Sequence, residues 1–164
     1  CAARGIDLPV PTDERIRELT GQPGDVFYRA LLPGRLADLA PSLRSFCLDH
    51  EVEEMVRHAR FYDGLGEMLQ TLRARGIRLA LASHGGERYI GAVAERLGYE
   101  EIFDRIYFHG RDGLTTKGGM ALRAIEELDG MDGLFVGDRW ADLEAAREAG
   151  MRFAGCLYGY GGLE

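Results

Sequence analysis

From Phe61 onward the chain alternates amphipathic stretches of helical length with short apolar runs, and few folds accept that order. Leu65, Met68, Leu69 and Leu72 share one face of a helix predicted over 64–75, and Gly76 is placed to end it. A strand is predicted over 77–82, stopping at Ser83-His84-Gly85-Gly86. A helix follows over 87–97, ended by Gly98, then a short strand over 106–108. The spacing next predicts a helix over 117–128, a strand over 134–136 running into Gly137-Asp138, a helix over 141–148 and a last strand over 153–157. Short apolar strands alternating with helices belong to an α/β fold: a Rossmann-like parallel sheet, covered by helices on both faces and joined by right-handed crossovers.

The residues before Phe61 carry no strand pattern. Thr12 followed by Asp13 and Glu14 predicts a helix start with acids in its first turn. Pro23-Gly24 and Pro33-Gly34 punctuate, Asp25 is placed to cap a second short helix, and apolar residues recur at helical spacing from Leu36 to Met55. Two units are therefore expected, a small helical one over 1–60 and an α/β one over 61–164. A chain of 164 residues is long enough to bury a core of that size.

Net charge is −7 and no basic cluster stands out, which argues against nucleic acid as a partner while leaving room for a small phosphorylated one. Three cysteines, Cys1, Cys47 and Cys156, without close spacing fit reduced thiols and a cytoplasmic setting. No apolar run reaches membrane-spanning length, so no membrane association is expected. Oligomeric state is not legible in the sequence.

Polar groups fall where the strands are predicted to end, the place where open parallel sheets bind ligands. The Ser83 hydroxyl, with the N–H groups of His84, Gly85 and Gly86, is placed to hold a phosphate oxygen at the start of the next helix. Asp138 and Asp142, one helical turn apart, offer two hard oxygen donors of the kind Mg²⁺ takes. Lys117 is the only lysine among 20 Lys and Arg side chains. A compact ammonium kept in an arginine-rich chain fits a site that needs a point charge rather than a flat fork. Each residue also has a plainer reading: Ser83 as a turn residue, His84 as a loop histidine, Asp138 as a helix cap, Asp142 as part of a solvated helix face.

The order Ser, Lys, Gly-Asp-x-x-x-Asp resembles the haloacid dehalogenase-like hydrolases, in particular the phosphoglycolate-phosphatase-like branch with a small helical cap. The matching stretches are Tyr62-Asp63-Gly64, Arg75 to Ser83, Thr116-Lys117-Gly118, Gly137 to Asp142 running on to Met151, and Tyr158-Gly159-Tyr160-Gly161. The resemblance implies that 1–60 is the cap and 61–164 the core. It implies that Ser83 hydrogen-bonds the transferring phosphoryl group and that Lys117 neutralises the nucleophile and the phosphate; His84 and Gly85, next to Ser83, are candidate substrate contacts on their position alone. It further implies that Asp138 is a Mg²⁺ ligand and Asp142 its partner, directly or through water. The implied reaction is hydrolysis of a small phosphorylated metabolite through an aspartyl-phosphate.

The sequence departs from that family in two places. Many relatives carry a proline after the lysine, where this chain has Gly118-Gly119. The nucleophile motif of the family, Asp-x-Asp at the end of a first strand, occurs nowhere in the 164 residues. Residues 1–9 look like the end of a cap helix and the loop after it. The expectation is therefore that the chain belongs to a longer protein and lacks its first, central strand. Residues 1–164 alone are then expected to be inactive, and neighbouring strands to be left with unpaired backbone groups. The paired acids argue against a metal-free dehalogenase. The absence of Lys from 1–60 argues against a phosphonate-cleaving relative, and a phosphomutase stays open. A truncated or decayed, non-catalytic binding module is the alternative from another class. A receiver-type domain fits less well, because its acid pair comes early in the chain.

Overall fold

The structure is a computed structural model that describes residues 8–130 and 132–160. The expectations for residues 1–7, Cys1 among them, and for the glycine-rich ending from Gly161 lie outside the described residues. From residue 8 to His58 every described element is helical: α1 (Asp13–Leu19), α2 (Gly24–Ala30), a 3₁₀ turn (Gly34–Leu39) and α3 (Ala40–His58). Thr12 caps α1, its hydroxyl accepting the Arg15 N–H, as its sequence position predicts. Asp25 does not cap α2. Pro23 occupies that position, and Asp25 sits in the first turn, where a carboxylate still complements the helix dipole. Tyr28, Leu32 and Ala40 are buried together, with Phe27, Leu31, Leu43 and Cys47 packed around them. The Tyr28 hydroxyl donates to Glu51, and burial beside that carboxylate raises the phenol pKa well above its ordinary value.

The strands begin after α4 (Leu65–Ala74). They are β1 (Ala80–Gly86), β2 (Arg105–His109), β3 (Leu134–Gly137) and β4 (Arg152–Gly155). Between them run α5 (Glu87–Leu97), the short α6 (Tyr99–Ile102), α7 (Lys117–Leu128) and α8 (Trp140–Glu148). Gly98 ends α5 in the left-handed conformation, the role its position predicts. Pairing is parallel throughout, but in two separate ladders: β1 with β2, and β3 with β4. The single sheet expected from the alternation is thus divided into two halves. Among the described residues no strand pairs with the free edge of β1 or of β3.

The core of this region is built where helices meet strands, from Ile90, Val93, Ile102, Tyr107, Ala121, Ala145, Ala146 and the fully buried Met120. Leu134 and Val136 of β3 remain more than half exposed, which is unusual for a parallel strand. The helices before residue 60 rest on α5 through α3, where Arg88 pairs with Asp49 and Arg96 donates to the Val56 carbonyl.

Candidate active site

The exits of β1 and β3, with the start of α7, place the groups singled out by the sequence. Thr116 caps α7 by accepting the Gly119 N–H, and this fixes Lys117 as the first residue of the helix. Lys117 Nζ donates to Asp142 Oδ1 at 2.5 Å. Asp142 Oδ2 accepts the backbone N–H groups of Asp138, at 3.1 Å, and Arg139, at 3.0 Å. Asp142 is the one charged side chain buried among the described residues, 3% exposed. Burying a carboxylate is tolerated only when it is paired and hydrogen-bonded, and here three donors do that.

Gly137 makes this closure possible. A β-carbon there would stand 2.4 Å from Cβ and Cγ of Asp142, closer than real atoms approach, so a side chain would push the carboxylate out of its place. Gly118 has a similar role on α7, where a β-carbon would overlap the Glu148 carboxylate of α8.

Asp138 stands just before α8. Its Oδ2 accepts the Tyr160 N–H at 2.5 Å, and Gly159 passes so near that a β-carbon would collide with the carboxylate. Among the described residues no hydrogen bond engages its Oδ1. The two acids therefore differ: Asp138 has an oxygen without a hydrogen bond among the described residues, whereas each oxygen of Asp142 accepts at least one.

Ser83, expected just past the end of a strand, lies inside β1. Pairing with Phe108 carries the strand through it, and the register shifts between Ser83 and Gly86. Its hydroxyl accepts the Gly85 N–H at 3.1 Å, so that N–H is committed to Ser83. His84 Nδ1 bonds the Gly21 carbonyl at 2.9 Å, which makes Nδ1 the protonated nitrogen of the neutral ring. Burial lowers the His84 pKa. The Gly21 carbonyl opposes this, Lys117 and His109 add to it, and Asp142 pulls the other way. β1 packs against α7, and this with the Lys117–Asp142 bond brings the β1 exit, Lys117 and Asp142 into one neighbourhood. His109, the last residue of β2, belongs to it as well and was not read from the sequence. Its Nδ1 is buried without a hydrogen-bond partner, and the only sequence signal was its place at a strand end.

Among the described residues no group of three or more His, Cys, Asp or Glu is arranged to hold a metal ion. One carboxylate with a free oxygen, backed by a second, nevertheless fits Mg²⁺. That ion is commonly held by one or two carboxylates together with substrate phosphate and water rather than by an all-protein cage. A cavity of about 810 Å³ opens beside Asp138 and Gly137, walled by Trp140, Phe153, Leu157 and Tyr160 and, from α1, by Arg17.

A family model described as haloacid dehalogenase-like hydrolase matches residues 3–150. The chain belongs to the haloacid dehalogenase-like hydrolases. Phosphoglycolate phosphatase of Pseudomonas putida is 29% identical over 163 residues, covering 90% of this chain and 57% of its own. The Mycobacterium tuberculosis protein named tyrosine-protein kinase PtkA is 28% identical over 163 residues, covering 98% of this chain and 55% of its own. The chain thus spans little more than half the length of these curated relatives. The crystal structure of a predicted phosphoglycolate phosphatase from Haemophilus somnus superposes with a TM-score of 0.80 at 19% identity, over 99% of this chain and 77% of the other. That likeness shows the fold: an α/β haloacid dehalogenase-like arrangement of helices and small parallel sheets. Among the described residues of this hydrolase-family chain, no helix is long and apolar enough to cross a membrane.

Proposed function

We propose that this chain is the greater portion of a Mg²⁺-dependent phosphomonoester hydrolase acting on a small phosphorylated metabolite. The observation that carries the reading is the buried Lys117–Asp142 pair, joined to Asp138 through the Asp138 N–H. In this reading Asp138 would hold the ion, with Asp142 behind it as its partner, directly or through water. Bound there, Mg²⁺ would supply charge neutralisation to the phosphate oxygens.

The residues of the chain do the rest. Lys117, held by Asp142, keeps a positive charge beside the transferring group, and a charge already in place lowers the cost of the transition state. Ser83 and His84 orient the phosphoryl oxygens, with Gly85 allowing close backbone approach. With Nδ1–H given to Gly21, His84 has only Nε2 left for a ligand. The attacking carboxylate comes, in this reading, from an Asp-x-Asp element that the 164 residues do not contain. It forms an acyl phosphate as the ester oxygen leaves, and water then releases phosphate. Residues 1–60 act as the cap over a core formed by 61–164, and the setting is cytoplasmic.

Phosphate release by the complete protein from a panel of phosphomonoesters, phosphoglycolate among them, tests this. Turnover that requires Mg²⁺ and falls by about a hundredfold or more in Asp138→Asn is expected. Residues 1–164 alone are expected to give none. Asp138→Asn with full activity at saturating Mg²⁺ removes the ligand assignment. Phosphate binding without turnover in the complete protein favours the non-catalytic module. Transfer of phosphate to a protein hydroxyl in place of water moves the reading toward the activity named for the mycobacterial relative.

A further inference from the structure

Two side chains from the strand exits reach across to one short segment of the helices that precede residue 60. Arg139 Nη2 donates to the Arg17 carbonyl at 2.9 Å, across 122 positions of sequence. Arg17 lies in the last turn of α1, where helix carbonyls have no partner of their own. Two neighbouring carbonyls are satisfied locally: Ile16 accepts from Thr20 and Leu19 from Gln22. The Arg17 carbonyl takes its hydrogen bond from Arg139 instead, and a cation at a helix C-terminus also complements the dipole.

The rest of the Arg139 side chain is equally committed. It runs beneath Gly21, where a β-carbon would meet Nε at 3.3 Å. Gly21 has φ of +93°, a conformation glycine adopts without steric cost. The guanidinium stands over the Tyr160 ring, 5.4 Å from its centroid, and the N–H of that same Tyr160 is bound by Asp138. From the β1 side, His84 holds the Gly21 carbonyl. The segment Arg17–Gly21 is therefore gripped at both ends of the candidate site, by a residue following β3 and by one within β1. These two strands belong to separate ladders.

We propose that Arg139 is a positioning residue, a latch that seats the α1 exit across the two strand exits and keeps His84 directed at the site. Its backbone N–H and its side chain serve different ends: the first binds Asp142, the second binds the helices. Replacing the side chain therefore leaves the Asp142 cap in place. Lysine at this position would keep the charge and one hydrogen bond but lose the flat group that lies between Gly21 and Tyr160.

Amide hydrogen exchange followed by mass spectrometry on wild type, Arg139→Ala and Arg139→Lys tests the latch without needing catalysis. It therefore stands or falls separately from the phosphatase reading. In Arg139→Ala, exchange across 13–23 is expected to rise about tenfold or more, while α7 and α8 stay within about twofold of wild type. Arg139→Lys, which keeps the stem and the charge, is expected to fall between the two. Unchanged exchange over 13–23 in Arg139→Ala overturns the proposal. A rise of equal size in α7 and α8 also overturns it, because that outcome assigns Arg139 to general stability. Full protection in Arg139→Lys overturns the requirement for the fork.

Discussion

At the scale of single residues, the site is organised by the cost of burying one charge. Asp142 is nearly removed from solvent, and among the described residues Lys117, itself only 14% exposed, is the sole countercharge bonded to it. Removing one partner of a buried pair leaves the other desolvated and uncompensated, which costs about 3–5 kcal/mol. Lys117→Met, close in length and without charge, is therefore expected to lower the urea-unfolding free energy by that amount. Lys117→Arg is expected to be intermediate in stability and poor in function, since a planar fork replaces a point charge in a confined space. A Met variant as stable as wild type would show that the Asp142 carboxylate gains little from the ammonium. That this lysine stands alone among arginines was visible in the sequence, and so was the Gly-Asp-x-x-x-Asp spacing. The partner of the ammonium was not. The role expected of Lys117 toward a nucleophile and phosphate stands as a proposal; in the structure its ammonium bonds the second acid of the motif. Which of several carboxylates an amine meets depends on how α7 packs against α8, and composition and spacing do not carry that information.

Among elements, the best-read ones were those with both a periodic face and a stop signal. α5 and α7 match their predicted spans, because each joins an amphipathic stripe to a defined end: Gly98 for the first, the Thr116 cap for the second. β1 was read too early. Ile77, Arg78 and Leu79 are not in the strand, and pairing with β2 carries it on through the glycines to Gly86. Glycine and serine have weak strand propensity, so only the tertiary partner could extend the strand there. What anchors the entrance of β1 is Asp104, just before β2. Its carboxylate accepts the Leu79 N–H at 2.8 Å, its own N–H donates to the Leu79 carbonyl, and Arg78 and Arg73 stand beside it. Burial pushes the Asp104 pKa up, but the Leu79 N–H and the two guanidinium groups outweigh that and leave it below its ordinary value of 3.8. A carboxyl with a depressed folded pKa binds protons less readily in the folded state than in the unfolded one. Its contribution is therefore complete above the unfolded value and is lost as pH falls through the folded one. Asp104→Asn is expected to cost about 1–3 kcal/mol at neutral pH. The gap between variant and wild type should close as pH is lowered past 3.8. Chemical denaturation at a series of pH values measures both. A gap that stays constant down to acid pH would assign the effect to packing rather than to charge.

Across the whole molecule, the sheet is divided, and the lack of an Asp-x-Asp strand had already led to the expectation that neighbouring strands would be left with unpaired edges. Alternation of helices and strands specifies parallel pairing and fold class, and both are present. It does not specify that β1 and β3 lie in different ladders, because strand order depends on contacts between segments far apart in the chain. The division has an energetic consequence. Parallel strands normally have both faces covered, and Leu134 and Val136 point the same way from β3 with about half their surface in water. With about half its surface in water, each side chain forgoes about half of the ~1.5–3 kcal/mol that full burial of a Leu or Val supplies. Each residue then contributes less to stability than a covered strand residue would. Replacing both by Thr, which is β-branched and has high strand propensity, is expected to lower the unfolding midpoint only slightly. The same double variant should bind a hydrophobic dye such as anilinonaphthalene sulfonate distinctly less than wild type, because an exposed apolar patch has been removed. Dye fluorescence and thermal melts on the two proteins give both quantities from one preparation. A double variant that melts well below wild type would mean that Leu134 and Val136 are buried in solution, by association of chains or by closure of the two half-sheets on each other. Sedimentation at increasing concentration would then separate the two, since only association depends on how much protein is present.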